Sequence, residues 1–148
     1  MPLNWSPLWL SLRVAGLATV GALPPGLWLG YLLATRQFAG RRSTFALLAL
    51  LLATPTVILA SILLRPGFQW QAGAAVGVAA ALPLIALGAR TPLQALDRAY
   101  GNAARSLGVS EWRIFWRVFL PLGWRPLFAA SAVAFARVLA EWSIVVAL

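Results

Sequence analysis

Residues 8–34 read LWLSLRVAGLATVGALPPGLWLGYLLA, an apolar stretch that contains a single charged residue, Arg13. About 20 apolar residues in a helix cross the ~30 Å hydrocarbon core of a bilayer, so this stretch is long enough to span a membrane. Three further stretches have the same character: residues 45–64, 72–89 and 127–148. The sequence therefore predicts an all-α membrane protein with about four transmembrane helices, in a single domain that covers residues 1–148.

The overall composition agrees with a membrane location. Of the 148 residues, 61% are hydrophobic and 10% are charged, whereas soluble proteins average roughly 45–50% and about 25%. A soluble domain of this length leaves about a third of its surface exposed, so it could not hide so much apolar surface in one core. The lipid bilayer is the solvent that this composition predicts.

The basic residues are distributed unevenly between the predicted connections. All twelve are arginine, against three acidic residues, which gives a net charge of +9. Nine lie within residues 36–42 or 90–125, whereas the connection between the second and third spans has Arg65 alone. Because cytoplasmic loops carry an excess of basic residues, this split predicts an outside N-terminus and a cytoplasmic location for residues 90–125. No aromatic and basic platform accompanies the charge, which argues against nucleic-acid binding.

This chain has few side chains that could support catalysis or bind a metal. Cysteine and histidine are both absent, which excludes Cys/His metal sites, cysteine nucleophiles and histidine-based triads. The acidic residues Asp97, Glu111 and Glu141 are spread along the sequence, and no phosphate-binding Gly-x-x-x-x-Gly-Lys-Ser/Thr loop occurs. We therefore expect no enzyme activity, cofactor or metal in this chain, so any ATP hydrolysis would reside in a partner.

Several features of the predicted spans bear on helix packing. Pro24 and Pro25 should bend the first span, and Thr54-Pro55-Thr56 should disturb the second. Gly26-x-x-x-Gly30 and Gly73-x-x-x-Gly77 are spacings that allow close helix packing. Arg137 and Glu141 lie one helical turn apart in the fourth span. They form either a self-neutralising pair that fixes packing or a functional site that faces protein or water.

The arginine-rich segment 90–125 predicts a helix-turn-helix. Residues 95–107 place Leu96, Ala99, Ala103 and Leu107 at helical spacing, with Arg98, Asn102 and Arg105 on the other side. Gly108 suits the left-handed residue that ends a helix. Ser110 suits the N-cap of a second helix, which should run to Pro121 with Glu111 in its first turn. Two interpretations stay open at this point: an amphipathic element on anionic lipid, or an element that docks a protein.

A motif in this segment resembles a known signature. The pattern Asn102-Ala103-Ala104, three residues, Gly108, nine residues, Val118-Phe119-Leu120-Pro121 is similar to the cytoplasmic coupling loop of ABC importer permeases. That loop reads Glu-Ala-Ala, x3, Gly, x9, Ile-x-Leu-Pro. Here Asn102 replaces the Glu and Val118 replaces the Ile. Residues 11–41, 50–64 and 134–148 resemble the molybdate, tungstate and sulfate permeases in particular.

The resemblance implies a fold and a function. The fold would be that of a type I ABC importer permease, truncated at the C-terminus, with a shortened outer loop at residues 65–71. The chain would import an oxyanion such as molybdate or tungstate across a bacterial or archaeal inner membrane. Its partners would be a cytoplasmic ABC ATPase, a second permease copy and an extracytoplasmic solute-binding protein. The coupling residues would be Asn102, Ala103, Ala104, Gly108, Val118, Leu120 and Pro121. The candidate translocation path would be Thr54, Pro55, Thr56, Arg137 and Glu141, with Arg137 either only paired to Glu141 or in contact with the transported anion. A structural or regulatory membrane protein without transport activity, or an inactive permease remnant, is the alternative.

The predicted orientation can be tested by labelling single cysteines, because the native chain has none. With the nine-to-one arginine split as the guide, cysteines at Ser6 and Gln69 should react with an impermeant reagent from outside. Cysteines at Gln37 and Ser110 should react only after the membrane is opened. Labelling of position 110 in intact cells would contradict the orientation.

Overall fold

The structure is a computed structural model that describes residues 6–54 and 70–147. All regular elements in these two ranges are helical, which confirms the predicted all-α class. The helices are α1 (Ser6–Thr35), α2 (Arg41–Ala53), α3 (Trp70–Leu96), α4 (Asn102–Ser106), α5 (Glu111–Ile114) and α6 (Leu120–Ala147). One π-helical turn, Asp97–Gly101, joins α3 to α4, and a second, Phe115–Phe119, joins α5 to α6.

Three segments of the described chain are long and apolar enough to cross a membrane: Trp9–Thr35, Ala74–Leu96 and Glu111–Glu141. The predicted second span, 45–64, begins within α2, but its part from residue 55 onward lies outside the described residues. The predicted span 72–89 lies within the longer helix α3, and the predicted span 127–148 lies within α6 as far as Ala147, with Leu148 outside the described residues. Helix α3 continues to Leu96, and at about 1.5 Å per residue its length of roughly 40 Å exceeds the ~30 Å hydrocarbon core. The first residues of the predicted loop 90–125 therefore continue helix α3.

Prolines interrupt these helices less than their sequence positions suggest. Pro24 and Pro25 lie within the uninterrupted helix α1. The expectation that the second helix of this segment ends at Pro121 is wrong, because the helix continues through Pro121 and Pro126 to Ala147. The ring of Pro121 would clash with the carbonyl of Arg117 in an ordinary α-helix. That carbonyl belongs to the π-helical turn Phe115–Phe119, whose wider winding relieves the clash.

Helices α1 and α3 pack through a stripe of small residues. Ala18, Ala22, Gly26 and Gly30 follow one another at four-residue spacing along α1, so they share one face. A methyl group added at Gly26 would lie 2.9 Å from the side chain of Ile85, and one at Gly30 would lie 2.8 Å from the carbonyl oxygen of Ala86. Because lipid supplies no hydrophobic force between helices, such close backbone approach is what holds the pair together.

Helix α6 completes a three-helix core on the other side of this pair. Its Ala134 and Val138 are buried in one cluster with residues of α1 and α3, such as Val14 and Ala81. A methyl group at Gly88 of α3 would lie 2.8 Å from the Cβ of Ala130, so α3 approaches α6 as closely as it approaches α1. Helix α2 lies outside this core and packs through Leu48 next to Leu33 and Ala86.

The α1–α3 contact can be tested with a matched pair of glycine variants. Gly30→Ala should destabilise the protein by about 1–3 kcal/mol, because the added methyl overpacks against the backbone of α3. Gly16→Ala is the control, since a methyl at Gly16 meets nothing within 4 Å and favours the helix. Thermal unfolding in detergent measures both, and equal unfolding temperatures for the two variants would contradict the packing.

Candidate functional site

The segment that carries the coupling motif folds as a helical hairpin formed by residues 97–119, with its turn at Gly108. Gly108 has φ 72° and donates its N–H to the Arg105 carbonyl at 2.9 Å, while Val109 donates to the Ala104 carbonyl at 3.3 Å. This pair of bonds defines a Schellman motif, which needs a residue at positive φ. The predicted role of Gly108 as the helix-ending residue is thereby confirmed in its geometry.

The second arm of the hairpin begins at Ser110, as predicted, but without a side-chain cap. Ser110 has extended backbone, and its carbonyl accepts hydrogen bonds from the N–H groups of Arg113 and Ile114. Its hydroxyl makes no capping hydrogen bond. Glu111 lies in the first turn, where its charge favours the helix N-terminus, but its carboxylate is turned toward other partners.

The Glu111 carboxylate ties the hairpin to α1. The hydroxyl of Tyr31, in α1, donates a hydrogen bond to Oε2 of Glu111. Arg105 Nε donates to Oε1 at 2.8 Å, and Arg36 Nη2 lies 3.1 Å from the same oxygen. One carboxylate thus links α1, the segment that follows it and both arms of the hairpin.

The first arm is locked by a second ion pair. Arg105 Nη2 lies 2.8 Å from Asp97 Oδ1, and Nη1 donates to Asn102 Oδ1 at 3.3 Å. A methyl group at Gly101 would lie 2.1 Å from that Asp97 oxygen, so only glycine leaves room for the carboxylate beside the helix. The hydrogen bond to Glu111, together with the pairing to Asp97, raises the pKa of Arg105 above its ordinary value.

An aromatic cluster packs the second arm of the hairpin against α1. Phe115 and Phe119 are buried, and their rings lie 5.3 and 5.2 Å from the ring of Tyr31, in edge-on arrangements. Trp28 of α1 lies 5.4 Å from Phe115 and 5.3 Å from Trp112. Since these rings pack within the protein, the second arm is part of the folded core and not an amphipathic helix whose whole apolar side lies on lipid.

The first arm presents its apolar residues outward. Leu107 is 81% exposed at the tip, and Asn102, Ala103 and Tyr100 are exposed beside it. The helical spacing does not indicate which side of this arm faces the protein, and Arg105 turns inward to Asp97 and Glu111. We call the exposed residues Tyr100, Asn102, Ala103 and Leu107 the hairpin tip.

The other coupling residues lie at the base of the hairpin. Ala104 and Val118 are half-buried against the same core cluster as Tyr31 and Phe119, and so is Leu120. Pro121 is exposed at the start of α6. The motif is therefore divided in space: Asn102 and Ala103 belong to the tip, whereas the remaining positions fix the turn and the base.

A second polar cluster lies near the end of α2. Helix α2 ends at Ala53 because Thr54 precedes Pro55 and takes extended backbone, with ψ 122°. The last carbonyls of a helix lack partners within it, and Arg137 Nη2 donates to the Leu52 carbonyl at 2.8 Å. Arg137 Nε also donates to Glu141 Oε1 at 2.8 Å, the i,i+4 pair that their spacing suggests.

The structure brings together only part of the predicted translocation path. Arg137 joins α6 to α2 close to Thr54, whose hydroxyl donates to the Leu50 carbonyl at 2.8 Å. Pro55 and Thr56 lie outside the described residues.

Sequence reasoning missed Tyr31, Arg36 and the Leu52 carbonyl. The scarcity of acidic residues was the available signal, because each carboxylate among so many arginines must attract at least one of them.

Comparison with known proteins places this chain in a family. Residues 26–148 match the family described as "Binding-protein-dependent transport system inner membrane component". The Molybdenum transport system permease protein ModB of Escherichia coli (strain K12) is 30% identical over 158 aligned residues, covering 94% of this chain and 69% of that protein. The Molybdate/tungstate transport system permease protein WtpB of Thermococcus kodakarensis is 29% identical, covering 88% and 55%. The Sulfate transport system permease protein CysT of Escherichia coli (strain K12) is 32% identical, covering 82% and 50%.

The matched region contains part of α1, all of α3, the whole hairpin and α6. These are the elements that build the three-helix core and attach the hairpin to it. The chain belongs to the family of binding-protein-dependent transport system inner membrane components, as an ABC importer permease of the molybdate, tungstate and sulfate type.

Proposed function

We propose that this permease forms part of the membrane path for an oxyanion such as molybdate or tungstate, and that its hairpin tip docks a cytoplasmic ABC ATPase. The substrate class rests on the relatives, whose names specify molybdenum, molybdate/tungstate and sulfate transport. The docking rests on one observation: Leu107 and Ala103 are exposed on a hairpin whose opposite side is fastened to α1. An apolar helix face that has no cover suits a groove on a partner.

The fastening of the hairpin supports a coupling role. A displacement of the tip by an ATPase would be resisted at Glu111, which contacts α1 through Tyr31 and the first arm through Arg105. Both hairpin arms also continue as helices into α3 and α6. Movement at the tip would therefore pass to α1, α3 and α6 together, as a rigid-body shift that opens the path to one side or the other.

The rest of the assembly follows from the family. A second permease copy would enclose the path together with this one, and an extracytoplasmic solute-binding protein would deliver the anion. ATP hydrolysis would take place in the partner ATPase. We infer a multi-pass location in the bacterial or archaeal inner membrane, with the N-terminus outside and residues 90–125 in the cytoplasm, as the arginine split predicts.

For the path itself, we propose that Arg137 and Glu141 act first as a packing pair. Arg137 has carboxylate and carbonyl partners in two helices, which supports a structural role. Helix α2 ends at Ala53, and at about 1.5 Å per residue it extends only about 20 Å. If Arg41 lies at the membrane boundary, the last carbonyls of α2 therefore lie within the hydrocarbon, where Arg137 satisfies one of them. Any contact of Arg137, Thr54, Pro55 or Thr56 with the anion would come in addition.

Docking of the ATPase can be tested at the tip. Leu107→Ser should weaken co-purification with the ATPase of the same transport system by roughly tenfold, because an anchoring leucine contributes on the order of 1.5 kcal/mol or more when buried. The fold should persist, since Leu107 is 81% exposed. Gly108→Val should have a larger effect, because a β-branched residue is strained at φ 72°.

The matched control is Trp124→Ser, which removes another large exposed side chain from outside the hairpin. It should leave co-purification unchanged. An equal loss for Leu107→Ser and Trp124→Ser, or no loss for Leu107→Ser, would contradict docking at the tip.

The paired charges in α6 give a separate test. Arg137→Leu and Glu141→Leu should each lower the unfolding temperature in detergent, because a lone charge at membrane depth costs about 2.5–3.5 kcal/mol. The double variant should recover most of the loss but not all, since the Leu52 carbonyl still loses a hydrogen bond that contributes about 1 kcal/mol. Additive losses in the double variant would show that the two residues do not act as a pair. Failure of uptake in a stable double variant would assign Arg137 to the anion path.

A further inference from the structure

A basic cavity lies where α1 ends and α2 begins, away from the hairpin tip and from Arg137. It has a volume of about 660 Å³, and the side chains of Arg41, Arg42 and Arg90 line it together with Phe38 and Phe45. This volume falls within the ~300–1,000 Å³ range of small-molecule sites. We call these five residues and the space between them the arginine pocket.

No acidic side chain of this protein is left to neutralise the arginine pocket. The sequence has three acidic residues in all, and each one pairs with an arginine elsewhere. Asp97 pairs with Arg105, Glu111 with Arg105 and Arg36, and Glu141 with Arg137. Three positive charges around one cavity favour an anion between them, and no acidic side chain of this protein supplies it.

Arg90 shows that the pocket is built for a ligand and not only lined by surface charge. Its Nε is buried, and no group in the described part of the chain accepts a hydrogen bond from it. Its guanidinium lies over the ring of Phe45, 5.0 Å from the centroid, which fixes the position of the group. A buried donor without an acceptor is costly, and a small adjustment of the Arg90 side chain toward an anion in the pocket would satisfy it.

The first turn of α2 adds backbone donors to the same cavity. Gly40 is the N-cap residue with φ 132°, so no side chain caps this helix, and its first turn contains no acidic residue. The first N–H groups of a helix lack partners within it and favour an anion. The N–H of Arg41 donates to the Phe38 carbonyl at 3.1 Å, which leaves the N–H groups of Arg42 and Ser43. Backbone donors and three guanidinium groups around one space match the oxygens of a phosphate group.

The surroundings of the pocket match an amphiphile better than a free ion. Phe38 and Phe45 are exposed at its rim, and Leu47 and Leu50 are exposed farther along α2. Charged and aromatic residues at the end of a span, followed by lipid-facing leucines, repeat the order of headgroup and acyl chains in a phospholipid. Basic pockets between membrane helices are known sites for anionic headgroups.

We propose that the arginine pocket binds the phosphate headgroup of an anionic phospholipid, whose acyl chains lie along α2. The lipid phosphate would offset part of the positive charge of Arg41, Arg42 and Arg90 and would fasten the N-terminal end of α2 to α3. Helix α2 lies outside the three-helix core, so it is the element that gains most from such a bridge. This site is independent of the proposed ATPase docking.

The test uses the full-length chain in nanodiscs that contain phosphatidylcholine and a minority of phosphatidylglycerol, with retained lipid measured by native mass spectrometry. The unmodified protein should retain phosphatidylglycerol in preference to phosphatidylcholine. Arg41→Gln and Arg42→Gln should each weaken this preference by about fivefold, the effect of one basic residue near an anionic membrane. Arg90→Gln should weaken it as well.

Arg125→Gln is the matched control, because it removes an arginine that stacks on Trp124 outside the pocket. It should leave the preference unchanged, and unfolding temperatures in phosphatidylcholine alone should show that Arg41→Gln and Arg42→Gln remain folded. Equal losses for Arg125→Gln and Arg42→Gln would overturn the site in favour of general surface charge. Displacement of phosphatidylglycerol by inorganic phosphate at matched concentration would overturn the lipid and assign a soluble anion.

Discussion

The carboxylate of Glu111 is the contact on which the hairpin depends. It accepts a hydrogen bond from Tyr31 of α1 and another from Arg105 of the first arm, and it lies 3.1 Å from Arg36. Hydrogen bonds between charged groups are roughly twice as strong as neutral ones, and removing one partner leaves a charge behind. The hairpin therefore cannot separate from α1 at low cost. Without this connection, a force on the tip would bend the hairpin instead of moving the spans.

The rest of the core is arranged so that this connection can transmit movement. Small residues along α1 bring its backbone against α3, and Ala130 of α6 fills the space beside Gly88. Helices that pack backbone to backbone have little side-chain volume that could absorb a shift, and close-packed interiors transmit strain. The aromatic cluster around Tyr31 joins this core to the hairpin directly. Glu111 thus contacts α1 near its C-terminal end, and the stripe of small residues packs along the length of the same helix.

The sequence was informative where a single residue determines the backbone. Gly108 could be assigned to a helix end because few other residues adopt positive φ, and the membrane class followed from apolar length alone. The orientation of the first hairpin arm could not be derived, because helical spacing places Leu107 and Ala103 on one side of the helix without indicating whether that side faces the protein. Here the opposite face, with Asp97 and Arg105, turns inward to satisfy charges. The continuation of the helix through Pro121 could not be predicted either, because the rules for proline in an α-helix do not take account of the π-helical turn that precedes it.

Thr54-Pro55 links the end of α2 to the chemistry of Arg137. The proline forces Thr54 out of helical backbone, which leaves the Leu52 carbonyl without a helical partner, and Arg137 supplies the donor. The Nε and Nη2 edge of this guanidinium is then shared between Glu141 and Leu52. A transported oxyanion that needed the same edge would have to displace a carboxylate of like charge, and it would leave Glu141 without its arginine. This geometry supports the proposal that Arg137 acts first to hold α2 against α6.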